Sequence, residues 1–115
     1  MATSGTIVYT LALDRETPTV TSISDGLAAT LGYGVEEALI PDWWVDGLHP
    51  EDRADVLAGL PSLLGEGHWV VEYRLRHRDG SYRWLRDEAH LRRDAAGRPR
   101  EVIGTWIDIT EQRSC

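Results

Sequence analysis

The sequence has no phenylalanine and no lysine, and only one methionine and one cysteine in 115 residues. The lone Cys115, at the last position, cannot close a disulfide within the chain, so a hydrophobic core has to hold the fold. No apolar run approaches the ~18 residues needed to cross a bilayer. No secretory leader precedes the first strand pattern. These absences predict a cytoplasmic domain that makes no membrane contact itself. Catalytic patterns are missing as well: no serine with a matching histidine and acid, no phosphate-cradling glycine loop, no carboxylate pair at a catalytic spacing. The chain reads as non-enzymatic. The formal charge of -7 lacks the basic face that phosphate neutralisation requires, which argues against a general nucleic-acid binder.

Because lysine is absent, every basic side chain is arginine, and most lie between Arg74 and Arg100. Cross-strand pairing with Glu72, Asp87, Glu88 and Glu101 is the expected use of this stripe. At 42% hydrophobic and 27% charged residues the composition is that of an ordinary globule, and the length suits one domain spanning 1–115.

Ile7, Tyr9, Leu11 and Leu13 alternate with Val8, Thr10 and Ala12, which predicts a first strand. "DRETP" makes a turn, and Val20 to Ile23 form a second strand. Ser24 suits the N-cap of a helix carrying Leu27, Ala28 and Leu31 and closed by Gly32. "GVEEALI" adds a turn or two of helix, and Pro41 fits position N1 of another short helix. His49-Pro50-Glu51-Asp52 opens a longer one, with two carboxylates where the helix dipole favours them. Pro61 predicts a kink or an end near Leu60, because it lacks an amide hydrogen and crowds the preceding turn.

From His68 the apolar period changes to two. Trp69, Val71, Tyr73 and Leu75 form one register, Asp79-Gly80 turns the chain, and Tyr82 to Arg93 and Glu101 to Ile109 complete a meander. Only residues 1–5 and 111–115 look like tail or linker.

"LGYGVEEAL", "HPEDR", "EYRLRHRDGSYRW" and "GRPREVIGTWIDITEQR", in this order and spacing, resemble the PAS family of sensory domains, in particular the branch with an "EYR" strand followed by "DG" and "YRW". The resemblance covers about Ile7 to Arg113. It implies an α+β fold: a five-stranded antiparallel sheet in order 2-1-5-4-3, with several short helices and one longer helix packed on one face. It also implies that "DIT" closes the last strand and leads through residues 111–115 into a connector to an output domain, such as a histidine kinase or a diguanylate cyclase. In the same family haem-binding members carry an axial histidine in the long helix, and flavin photosensors need a cysteine in an early helix. Asp52 to Leu64 contains no histidine and no cysteine precedes Cys115, so the resemblance argues against both cofactors and none is evident. His49, His68, His77 and His90 show no metal-ligand spacing, and no metal site is expected.

With Gly104 and Trp106 beneath the helices, as in related sensor domains with known pockets, the inner face takes Val71, Tyr73, Leu75, Leu85, Asp87, Ala89, Leu91, Gly104 and Trp106, the candidates for a ligand pocket, together with Asp108. The outer face carries Glu72, Arg74, Arg86 and Glu88 beside an apolar set, Val70, Trp84, Ile103, Thr105 and Ile107, which are the candidates for a dimer contact. A homodimer through this face or through the N-terminal segment is the expected assembly.

An inner Asp87 must be hydrogen-bonded, protonated or at the rim; an arginine is the expected partner, and ligand anchoring the alternative. Trp43, Trp44 and Trp106 could form an aromatic cage or simply fill the core. Gly104 lets the strand bend or accept a close neighbour. Asp108 is expected to fix the strand end with Thr110, and Asp108, Ile109, Thr110, Glu111, Gln112 and Arg113 to transmit a signal. The functional expectation is a sensory module that binds a small, unidentified ligand. The alternative is a dimerisation module with a filled core. A small-molecule enzyme on a similar fold is a third, weaker reading.

Overall fold

In the computed structural model, residues 6–13 and 19–113 are described. The expected turn at 14–18, the tail at 1–5, and Ser114 and Cys115 lie outside the described residues. Five strands form one antiparallel sheet: β1 (Ile7–Ala12), β2 (Thr19–Ile23), β3 (His68–Arg76), β4 (Tyr82–Arg93) and β5 (Pro99–Asp108). Their spatial order is β2-β1-β5-β4-β3, as the resemblance implied. Between β2 and β3 run α1 (Gly26–Leu31), α2 (Val35–Ala38), α3 (Trp43–Gly47) and α4 (Pro50–Glu66), and after β5 comes α5 (Thr110–Arg113).

Period-two alternation fixes the two faces of the sheet. Tyr73, Leu75, Leu85, Asp87, Ala89, Val102 and Trp106 are buried beneath the helices with Ile7 and Tyr9. Register aligns these residues into rows. Ile7, Trp106, Asp87 and Val71 face one another in one row, and Ile23, Tyr9, Gly104, Ala89 and Trp69 in the next. The outer face keeps Val8, Val70 and Ile107 exposed.

Three local expectations are corrected. Ser24 does not cap α1; Asp25 holds the N-cap position, and the Ser24 hydroxyl instead accepts a 2.9 Å hydrogen bond from the Val8 amide. Pro41 does not open α3, which begins at Trp43 after Asp42, a residue in the left-handed region at φ 68°. Asp tolerates that conformation better than most residues, because its short side chain can bond locally. Pro61 neither ends nor splits α4, which continues to Glu66. Pro61 is exposed, so water can serve the carbonyl that lost its amide partner, while Val56 and Leu63, buried on either side, hold both halves of the helix on the sheet.

Asp52 joins α4 to β3. Its carboxylate accepts from the Arg74 amide at 2.9 Å and from the Arg74 guanidinium at 3.0 and 2.8 Å. The bidentate geometry makes this a strong contact for its exposure. Burial works against the charge on Asp52 less than these donors favour it; the hydrogen bonds come first and hold its carboxyl below the usual range.

Candidate functional site: a carboxylate at the wall of an apolar cavity

At the middle of the inner face, Asp87 is 1% exposed. No arginine among the described residues reaches it, which corrects the expected ion pair. The Tyr9 hydroxyl donates to Oδ1 at 2.7 Å and the Tyr73 hydroxyl to Oδ2 at 2.6 Å. The Trp44 indole donates in turn to the Tyr73 oxygen at 3.0 Å. Trp106 sits directly across from Asp87 in the register and Trp69 one step diagonally away. Their buried indole N–H groups lack hydrogen-bond partners of good geometry, yet their dipoles face the carboxylate.

The absence of a Cβ makes this network possible. The Tyr9 ring crosses β5 directly over Gly104 to reach β4, and any side chain at Gly104 would collide with the Tyr9 ring and hydroxyl. Ala89, the next residue of the row, is also small. Sequence reading anticipated a close neighbour at Gly104, but not which residue it would be.

Burial pushes the Asp87 carboxyl up to about 6, while the donors, Tyr73 first and then Tyr9, Trp106 and Trp69, pull the other way. The same burial, followed by the carboxylate's own charge, raises both tyrosines far above their ordinary value, so they stay protonated as donors. Above pH ~6 the site therefore holds a buried negative charge attended by dipoles.

Beside this charge lies a cavity of about 270 Å³. Tyr9, Leu11 and Val20 border it from β1 and β2, Val102 and Trp106 from β5, Trp43 and Trp44 from α3, and Leu57, Leu60 and Leu63 from α4, with Trp69 and Asp87 completing the wall. Of the nine pocket candidates only Asp87 and Trp106 line this space. Tyr73 bonds to Asp87 behind the wall, and Val71, Leu75, Leu85, Ala89, Leu91 and Gly104 share the inner face; none of these borders the cavity. Trp43 and Trp44, weighed with Trp106 as an aromatic cage, do line it, whereas Leu57, Leu60 and Leu63 of α4 and Tyr9 of β1 were not among the candidates, because strand periodicity does not tell which helix covers a face or which strand pairs beside it. None of His49, His68, His77 and His90 borders the cavity. Among the described residues no group of three or more His, Cys, Asp or Glu is placed to hold a metal ion.

A second constellation ties the end of β5 to the sheet. Asp108 Oδ1 accepts from the Thr110 amide at 2.9 Å, and Oδ2 accepts from Arg83 Nε at 2.9 Å. The Thr110 hydroxyl accepts from the Trp84 amide at 2.9 Å, and the Ile109 amide donates to the Trp84 carbonyl at 2.9 Å. Burial opposes ionisation of Asp108, but the bonds from Thr110 and Arg83 prevail and lower its pKa. Arg113 then folds back over the outer face, 3.7 Å above the Trp84 ring, and donates to Glu72 at 2.7 Å. Glu111 and Gln112 are exposed. The arginine stripe thus divides its pairs: Arg78 with Glu37 and Arg74 with Asp52 reach helical acids, whereas Arg83 with Asp108 joins β4 to the end of β5. Arg92 with Glu101, at 3.6 Å, is a cross-strand pair of the expected kind.

A sheet of this order with its helices on one face, a cavity between them and a polar lock after the last strand defines a sensory-type α+β module. The sequence model of the family described as "PAS fold" matches residues 20–106, and the chain belongs to that family. It is 46% identical over 65 residues to the two-component sensor PprA of Pseudomonas aeruginosa, covering 56% of this chain and 7% of that protein. It is 30% identical over 91 residues to the sensor protein FixL of Bradyrhizobium diazoefficiens, covering 78% of this chain and 18% of that protein. The chain thus spans less than a fifth of either relative. Among solved structures, the N-terminal domain of a diguanylate cyclase with PAS/PAC sensor from Marinobacter aquaeolei superposes with a TM-score of 0.84 at 28% identity, covering 95% of this chain and 99% of that one. The relatives are sensor proteins, and the chain is a PAS domain of the kind they carry. Among the described residues no helix is long and apolar enough to cross a membrane.

Proposed function

We propose that this domain is a non-catalytic sensor that takes a small ligand into the cavity beside Asp87 and passes the change to an output domain through the segment from Asp108 to Arg113. The observation that carries this reading is the cavity itself, a partly open apolar space with one built polar feature on its inner wall, the usual form of a small-molecule site. The strand that presents Asp87 also presents Trp84, whose backbone and ring hold the connector. A ligand that binds two arrangements of this strand unequally shifts the population between them, and no other route to signalling is needed. The likeness to two sensor proteins and to a diguanylate cyclase sensor domain supports a parent protein of the two-component or cyclic-dinucleotide kind, in the cytoplasm, with an output domain joined through the connector.

Native mass spectrometry of the purified chain, followed by the denatured sample, tests this. A mass surplus lost on denaturation supports a retained ligand. A chain with no surplus that also binds no small molecule in a fragment screen overturns the reading.

A second reading rests on a different observation. Val8, Val70 and Ile107 leave apolar surface on the outer face, beside Ile103 and Thr105, while Trp84 is covered by Arg74 and Arg113. A homodimer packed there would cover this patch, and sedimentation of the wild type against Ile107→Lys would detect it.

A further inference from the structure

The cavity carries a charge imbalance that its apolar walls make consequential. Among the described residues that border it, the only charged side chains are Asp42, exposed at its edge, and Asp87 on its inner wall, and both are acidic. The bonds from Tyr9 and Tyr73 stabilise the Asp87 charge, but they are dipoles and leave its sign uncancelled. In a low-dielectric space that field reaches much further than it would in water.

Around it stand four indole rings, Trp43, Trp44, Trp69 and Trp106. Trp43 and Trp106 lie 6.2 Å apart by centroid and are tilted by 33°, and the Tyr9 ring continues the row 5.0 Å from Trp106. The faces of such rings are electron-rich and attract cations, tryptophan most strongly. The remaining wall of leucine and valine suits an apolar body. From these features we infer that the ligand is a monocation with an apolar or aromatic body, a small amine whose ammonium group sits between Asp87 and the tryptophan faces. This rests on the cavity being a ligand site. A neutral ligand would leave the buried charge unmatched, and an anionic one would face repulsion from both acids.

The test uses three molecules of nearly equal shape: 2-phenylethylamine, 2-phenylethanol and 3-phenylpropanoate. Each is titrated into the intact chain by calorimetry at about pH 8, where the amine is protonated and Asp87 ionised. The amine is expected to bind about tenfold or more tightly than the alcohol, and the carboxylate more weakly than either. Asp87→Asn, nearly the same shape, is expected to bring amine and alcohol within about threefold of each other, with alcohol binding retained. The wild-type series alone decides the matter if that variant does not fold. Alcohol or carboxylate binding as tight as the amine overturns the cation preference and leaves the ligand site standing. No saturable binding of any of the three overturns the inference and counts against the cavity as a ligand site, which the fragment screen then decides.

Discussion

The guanidinium of Arg113 lies 3.7 Å from the centre of the Trp84 ring while its Nη1 donates to Glu72, so the last described residue of the chain is fastened to the outer face of β3 and β4. Because this contact is half exposed, its strength belongs to the modest class of surface cation–π and ion pairs. Arg113→Ala is expected to reduce global stability by less than about 1 kcal/mol. Amide exchange at residues 110–113 should rise all the same. Unchanged exchange there would mean that the backbone bonds of Thr110 and Ile109 hold the connector without it.

Asp108 acts one step earlier. Asp108→Ala removes the acceptor for the Thr110 amide and for Arg83 together, with an expected cost of about 1–2 kcal/mol. The loss should concentrate in the connector: in the parent protein the output becomes uncoupled from the sensor while the sheet stays folded. Equal loss of output and fold, measured by activity alongside circular dichroism, contradicts this role.

The pH dependence of stability separates the two kinds of carboxylate. Asp87 has its folded pKa raised from 3.8 to about 6, so the native state binds more protons than the unfolded state between those values. Its contribution is full below ~3.8 and is lost as the pH rises through ~6, a swing of about 3 kcal/mol. Asp52 and Asp108, with lowered pKa values, run the opposite way and lose their contribution as the pH falls below ~3.8. The stability of wild type minus that of Asp87→Asn, from urea melts, should therefore increase from pH ~7 to ~4. A flat difference would show that Asp87 does not titrate in this range.

Gly104→Ala forces a methyl group into the Tyr9 ring, and the expected cost is about 1–3 kcal/mol. In a Tyr9→Ala background the same change should cost much less, since the obstacle is gone. Additive costs in the double mutant would place the strain elsewhere.

Trp106→Ala tests how empty the interior is. A closed core would lose about 3–5 kcal/mol, whereas a side chain that already borders a cavity should fall near the lower figure. Thermal melts of the variant provide the number.

The architecture was legible because each strand repeats its apolar residues with period two and each turn carries a residue suited to it. Asp79-Gly80 and Gly32 marked ends that the structure keeps. Pro61 misled, because its effect depends on whether water reaches the carbonyl behind it and on the anchors at Val56 and Leu63, and both are tertiary facts. At the site, Asp87 and Trp106 could be placed on the inner face. The partner of Asp87 could not be named, because Tyr9 reaches it only through the pairing of β1 with β5. The aromatic residues of α3 were noticed for their rarity, but nothing in their spacing told where α3 would lie.

The Tyr9 bond to Asp87 spans 78 residues of sequence. The C-terminal meander supplies Tyr73 on its own and so brings Asp87 only one of its two hydroxyls; the other arrives when β1 closes the sheet against β5. A half-satisfied buried carboxylate makes the partly assembled sheet costly. A slip of β4 by one residue would turn Arg86 or Glu88 inward with no such partners. The first strand therefore completes the site as well as the sheet. A chain interrupted between β2 and β3 would leave the meander with an acid that keeps only the Tyr73 bond.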